Sequence, residues 1–201
     1  MCLKQMRILV LALGMFIASP SWAVFEARGH GGFGVSDSSH FNRFLNSYGL
    51  PGLYVNGSYG YDLLLTGGPL AAGVRYDFTG IKIANGNDSA VIGSYRWAGV
   101  LGIRFPVGAT TRLGVIGTYG WWHDSRVGLK VGSSNILFEK ASTRSLTGGI
   151  EAGVLFGPLL GALEVGYQTY ELRDVEGSSG KPGMDVLFNG LYTKLLVGVS
   201  L

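Results

Sequence analysis

The stretch SYRWAGVLGIRF, residues 94–105, is apolar enough to read as membrane sequence, yet Arg96 and Arg104 stand inside it. Counting by twos resolves the conflict. Tyr95, Trp97, Gly99, Leu101, Ile103 and Phe105 share one face, and Ser94, Arg96, Ala98, Val100, Gly102 and Arg104 share the other. That is the period of a strand with one greasy, aromatic face and one face able to hold charge. Which face looks inward decides the kind of protein.

The same division recurs along the chain. Leu70, Ala72, Val74, Tyr76 and Phe78 oppose Arg75 and Asp77, and Leu113, Val115, Tyr119 and Trp121 oppose Arg112, Thr118 and Trp122. Leu146, Ile150, Ala152, Val154 and Phe156 oppose Thr147 and Glu151, while Leu163, Val165 and Tyr167 oppose Glu164 and Gln168. At the chain's two ends, Leu195, Val197, Val199 and Leu201 oppose Lys194, and Phe25, Phe33 and Val35 oppose Glu26, Arg28 and His30.

An arginine on a lipid-facing position near the midplane costs about 2–4 kcal/mol. Four of them (Arg75, Arg96, Arg104 and Arg112) would offset a typical domain stability of about 5–15 kcal/mol. The charges therefore belong in a lumen. The expected lumenal network is Asp62, Arg75, Asp77, Arg96, Arg104, Arg112, Glu151, Glu164 and Lys194. Within it, Arg96 is expected to pair across the narrow bore with Glu151 or Glu164.

Composition agrees. Only 14% of residues are charged, against about 25% in ordinary soluble domains, and after residue 23 no 18-residue apolar run is present. A chain this apolar, without a spanning helix, points to a β-barrel. Residues 1–23 read as a cleaved export signal: Lys4 and Arg7, an apolar run over 8–18, then Ser21-Trp22-Ala23. Cys2, the single cysteine, lies within that signal, so the mature 24–201 domain has no disulfide. Without Lys4 and Arg7 the charge is nearly balanced, which excludes nucleic acid as a partner.

Strands are expected near 25–36, 53–65, 70–83, 90–105, 111–130, 144–157, 159–175 and 186–201. Short Gly/Pro turns (66–69, 106–110, 157–158) alternate with more polar breaks (37–52, 84–89, 131–143, 176–185). The fold class is all-β: an eight-stranded antiparallel transmembrane β-barrel with short periplasmic turns and longer extracellular loops. Within the first loop, HFNRFLNSYGLP spaces Phe41, Phe44, Leu45 and Tyr48 as an amphipathic helix, ending in a helix-stop signal. It reads as a lid on the barrel mouth or as a segment gripping lipid or a partner. Trp97, Phe105, Tyr119, Trp121 and Phe156 are expected in interfacial belts.

The alternating strands and the short-turn/long-loop asymmetry resemble the small outer-membrane barrels of Gram-negative bacteria, the OmpA/OmpX-like architecture. The resemblance covers 24–201 and is architectural. Those barrels usually end in an aromatic residue; this chain ends in Leu201. The resemblance implies a place in the outer membrane, contact with its lipid and lipopolysaccharide, and handling by the barrel-insertion machinery. Its members include anchors, adhesins, pores and lipid-modifying enzymes, so fold does not select function.

The expected role is structural or surface-interacting, with an extracellular ligand taken by the loops; a narrow pore is a further alternative. A soluble lipocalin-like barrel is the competing class and would need the apolar face inside. One cluster, His123-Asp124-Ser125, resembles the His-x-Ser pair of outer-membrane lipid A deacylases. In those enzymes histidine activates serine against an acyl ester. Alternation puts His123 and Ser125 on the outer face beside Trp121. No cofactor or metal is expected: NGND (85–88) and the tract over 174–185 hold carboxylates without a calcium-loop spacing. His30 and His40 lack metal-ligand spacing.

Overall fold

Strict alternation commits most of the chain to extended structure, and the computed structural model, which describes residues 24–36, 38–177 and 184–201, closes it into one barrel. The elements in order are β1 (Val24–Val35), α1 (Ser39–Ser47), β2 (Val55–Gly67), β3 (Leu70–Asn85) and β4 (Asp88–Pro106). They continue with β5 (Thr111–Val131), β6 (Ser134–Phe156), β7 (Leu159–Gly177), β8 (Met184–Leu187) and β9 (Gly190–Ser200). Each strand from β1 to β7 pairs antiparallel with the next. Both β8 and β9 pair with β7, and β9 pairs with β1, which closes the ring. β8 and β9 are two pieces of one stave, so the wall has the expected eight. The break between them is held by the Tyr170 N–H, which donates to Asn189 Oδ1, and the Phe188 N–H, which donates to the Tyr170 carbonyl.

Both ends of the wall meet at one rim, where Phe25 and Leu201 exchange two backbone hydrogen bonds of 2.9 Å. That rim also carries the three short turns anticipated from Gly and Pro. The opposite rim differs from expectation. The polar breaks at 84–89 and 131–143 are tight hairpins, closed by Gly86 (φ 60°) and Gly132 (φ 58°). Strand β6 begins at Ser134, about ten residues before its expected start. Its first part reads Ile136-Leu137-Phe138-Glu139-Lys140 in sequence, apolar and charged residues in blocks, so alternation does not mark it. The export signal assigned to 1–23, with Cys2, lies outside the described residues, as do residues 178–183 of the acidic tract.

The wall inverts its polarity along its length. Toward the short-turn rim the outward positions are Leu63, Leu65, Leu101, Ile103, Val115 and Ile150, all exposed, and Leu101 is 71% exposed. Their inward neighbours include Arg28, Asp62, Arg75, Asp77, Arg96 and Glu164, all buried. Toward the other rim the inward residues become apolar: Ile83, Ala90, Ile92, Val127 and Leu129. There the outward ones become polar: Lys82, Asp124, Arg126 and Lys130. Between the two zones runs a belt of aromatic side chains: Tyr59 against Phe78, Tyr61 against Tyr76, Tyr76 against Trp97 and Phe78 against Tyr95. Phe105 and Phe156 (70% exposed) stand at the far edge of the apolar band. Trp97 to Phe105 is eight residue steps, about 20 Å at the usual strand rise and tilt.

The apolar interior is completed by α1. Phe41 and Leu45 are buried with Leu50, Leu53, Tyr170, Leu172, Val186 and Phe188. Asn42 ties the loop down, its Oδ1 accepting from the Leu53 N–H at 2.6 Å. The helix is a lid on the mouth, the first of the two anticipated readings.

Candidate functional site

All nine residues expected in the lumenal network face inward, and all but Arg112 are buried. Sequence reasoning placed Glu26, Arg28 and His30 on the inward face of β1 but left them out of the network, to which Glu26 and Arg28 are central. Toward the short-turn rim, Glu26 receives Arg104 at 3.0 Å and also Arg112. Glu151 receives Arg104 at 3.0 Å and Arg28 at 2.6 Å. Arg28 reaches on to Asp62 at 2.5 Å. Asp62 also accepts from Arg75 Nε at 2.7 Å, and Arg75 spans the bore to Glu164, with Nη2 to Oε2 at 2.8 Å. The Tyr192 hydroxyl donates to the same carboxylate at 2.7 Å. These bonds join β3 to β7 and β1 to β6, so opposite walls are laced together through the middle.

Arg96 departs from expectation. It does not cross to Glu151 or Glu164; Nε and Nη2 donate to the two oxygens of Asp77 at 2.5 and 2.9 Å. Asp77 is its direct neighbour in the β3–β4 ladder. Glu164 is already occupied by Arg75 and Tyr192, and Glu151 by Arg28 and Arg104. Lys194 Nζ shares Asp77 at 3.2 Å. The remaining Arg96 Nη1 donates to Ser145 Oγ at 3.0 Å.

His123 and Ser125 also require correction. They do not lie on the outer face with Trp121. The register between β4 and β5 slips at Trp97/Ala98, where Ala98 faces Gly120 but Trp97 faces Trp122. Trp121 is the extra residue of a β-bulge, which displaces alternation by one. Trp121 and Trp122 are therefore both outward, 55% and 47% exposed, and His123 and Ser125 turn inward. The inner face beside the bulge is filled: a Cβ at Gly120 would lie 2.2 Å from Ser145 Oγ and 2.7 Å from His123 Nε2. His123 Nε2 bonds Ser145 Oγ at 2.9 Å. Ser125 Oγ bonds Ser94 Oγ at 2.7 Å and Thr143 Oγ1 at 2.8 Å. Among the described residues the two do not bond one another, and the outward pair that motivated a deacylase does not form.

No group of metal-ligating side chains occurs among the described residues. In the NGND turn, Asp88 Oδ1 accepts from the Gly132 N–H at 2.7 Å and Asn85 Nδ2 donates to the Gly49 carbonyl at 2.8 Å. Those residues tie neighbouring loops together.

Below the bulge and outside the wall lies an apolar groove. Gly99, Leu101, Gly117, Tyr119, Trp121 and Leu146 line a depression of about 470 Å³. It continues through Ala72, Leu101 and Gly117 into one of about 670 Å³, bordered by Ile103, Val115 and Gly148.

No family model and no curated protein matches this chain. Among solved structures, it is similar to the crystal structure of Neisserial surface protein A, with a TM-score of 0.48 and 13% identity. That likeness covers 89% of this chain and 96% of the other.

Proposed function

We propose that this chain is a transmembrane barrel of a bacterial outer membrane with a structural or surface-interaction role, its lumen closed by the ionic network. The observation that carries this reading is the inversion of polarity along the wall. A protein surrounded by water rarely exposes a contiguous apolar band encircling it. Here the apolar side chains are outside over one band and inside beyond it, with aromatic side chains at the boundary, as an interface between hydrocarbon and water requires. The soluble lipocalin-like alternative needs an apolar lumen throughout, and Arg75, Asp77 and Glu164 occupy that place.

The lumen favours a closed scaffold over a pore. Arg75 and Glu164 bridge β3 to β7 with both side chains buried, and Arg28 and Glu151 bridge β1 to β6 below them. α1 covers the other end. What remains for interaction is the part of the wall beyond the aromatic belt. The β5–β6 hairpin runs there from Trp122 to its turn at Gly132, roughly 20 Å or more along the barrel axis. Surface ligands would meet that projection and the α1 loop.

Two measurements test the reading. The mature chain should sediment with membranes, resist alkaline carbonate and require detergent for release. Recovery in buffer alone would overturn the membrane assignment. Reconstituted in a planar bilayer, it should give no stepwise conductance; reproducible steps from the purified chain would overturn the closed lumen.

A further inference from the structure

The charges of the lumen do not balance. Among the described residues six cations lie in it (Arg28, Arg75, Arg96, Arg104, Arg112 and Lys194) against five carboxylates (Glu26, Asp62, Asp77, Glu151 and Glu164). Protonation of His30 would only widen the excess. Farther from the short-turn rim the count is even, with Asp62, Asp77 and Glu164 answering Arg75, Arg96 and Lys194. The surplus falls at that rim, where Arg28, Arg104 and Arg112 share two acids. Glu26 Oε2 accepts from Arg104 at 3.0 Å and from Arg112 at 3.1 Å. Glu151 Oε2 accepts from Arg104 at 3.0 Å and from Arg28 at 2.6 Å. Arg28 also reaches Asp62, but Arg75 already grips that carboxylate. Arg112 Nε is buried and has no hydrogen-bond partner. A buried cation without its full counter-charge is costly.

A cavity lies where the surplus is. It occupies about 240 Å³ between the β2–β3 and β4–β5 turns. Arg104 and Arg112 line it together with the hydroxyl-bearing Thr66, Thr110 and Thr111, and among the described residues no carboxylate does. The two guanidiniums are fixed close together before any ligand arrives, since one oxygen of Glu26 holds both. Leu201 is not the missing anion. It is held against Phe25 at the β1–β9 seam, four strands round the ring from β4, and its carbonyl oxygen accepts the Phe25 N–H.

We propose that this rim cavity binds a phosphate group, which supplies the negative charge that the lumen lacks. Guanidinium groups suit phosphate through paired donors, and three hydroxyls add neutral ones. That is more donors than the two oxygens of a carboxylate would use. The group has two possible sources: a free phosphate or soluble phosphate ester, and a lipid headgroup. Leu70 and Phe105 border the cavity from the outer wall, and Leu70 leads on into the apolar groove, which gives a headgroup a route to it. The site follows from the barrel and its lumen and does not rest on the membrane reading.

The test is equilibrium dialysis of radiolabelled inorganic phosphate against the refolded barrel in a maltoside detergent, at an ionic strength held constant with sodium chloride. Wild type should take up one phosphate per chain, saturably. Arg112→Gln, which removes the surplus charge, should weaken uptake by about tenfold or more, equivalent to about 1.4 kcal/mol. Because Arg112 also serves the ionic network, a second variant guards against misfolding. Ala109→Glu brings a carboxylate to the cavity from an exposed turn. It should weaken uptake as much while the barrel keeps its heat-dependent shift in gel mobility. Absence of saturable uptake by folded wild type, or unchanged uptake by either folded variant, would overturn the proposal. So would equal displacement of the label by acetate, which would make the cavity a general anion site. Displacement by short-chain phosphatidylglycerol but not by glycerol 3-phosphate assigns the group to a lipid; equal displacement by both assigns it to a soluble phosphate. Either result upholds the site.

Discussion

Asp77 and Arg96 stand directly opposite each other on β3 and β4, and the guanidinium grips both carboxylate oxygens. Lys194 reaches the same carboxylate from β9. One acid therefore serves two buried cations, which makes the consequences of removing each partner unequal. Arg96→Leu leaves Asp77 with Lys194, whereas Asp77→Leu strands two cations in the lumen. Breaking a buried pair by removing one partner typically costs about 3–5 kcal/mol. Asp77→Leu should reach or pass that range and Arg96→Leu should fall below it. Denaturant unfolding of the refolded barrel in detergent measures both; an Arg96→Leu variant that is the less stable of the two would show that Lys194 does not compensate.

Glycines on the two faces of the wall should respond oppositely to a methyl group. At Gly166 a Cβ would lie 2.2 Å from the Gly148 carbonyl oxygen and 2.6 Å from the Gly149 Cα, both backbone atoms that cannot step aside. At Gly148 it would meet nothing within 4 Å. Gly166→Ala should destabilise by about 1–3 kcal/mol, the usual range for overpacking, and Gly148→Ala should be close to neutral. The same unfolding assay compares them, and equal midpoints would contradict the close approach of β6 and β7.

Where charged and aliphatic residues alternate, the sequence was legible. Residues 94–105 and 70–78 could be assigned face by face because an outward arginine is prohibitive, and Arg75, Arg96 and Arg104 are all inside. The helix was legible too, since Phe41 and Leu45 recur at helical spacing before a stop signal. Three things were not. The partner of Arg96 depends on which side chains share a level in the bore, and strand register sets that, not alternation. The bulge at Trp121 shows only in the register between β4 and β5, where Trp97 faces Trp122 and Ala98 faces Gly120, and alternation along one strand carries no sign of it. Beyond the aromatic belt the hairpin over 131–143 lost its signal, because Ile136-Leu137-Phe138 and Glu139-Lys140 follow one another without alternating.

Because the bulge puts consecutive tryptophans on one face, both should report the lipid. In single-tryptophan variants retaining only Trp121 or only Trp122, quenchers attached to lipid acyl chains near the headgroup should reduce both fluorescence signals to a similar extent. Unbroken alternation predicts instead that only Trp121 is quenched. A Trp122 signal insensitive to lipid quenchers but sensitive to Gly120→Ala would restore the outward assignment of His123 and Ser125.

The lid and the membrane band should fail separately. α1 is anchored by Phe41 and Leu45, each almost fully buried, and by the Asn42 bonds to Leu53. The apolar cluster meets the ionic network through Tyr170, whose ring centroid lies 5.5 Å from the Arg96 guanidinium, yet local opening of a loop need not cost the stability of the whole fold. Leu45→Asp places a carboxylate among Phe41, Leu50 and Phe188, where an unpaired charge cannot stay. The loop over 36–54 should then become susceptible to added protease on intact cells, while the barrel keeps its heat-dependent shift in gel mobility. Truncation to alanine is the milder case: Leu45→Ala should loosen the lid by about 2–5 kcal/mol, the usual cost of emptying a buried leucine site. Should Leu45→Asp abolish the mobility shift as well, the apolar mouth and the charged lumen would be one cooperative unit, and α1 would be part of the barrel's core instead of a cover upon it.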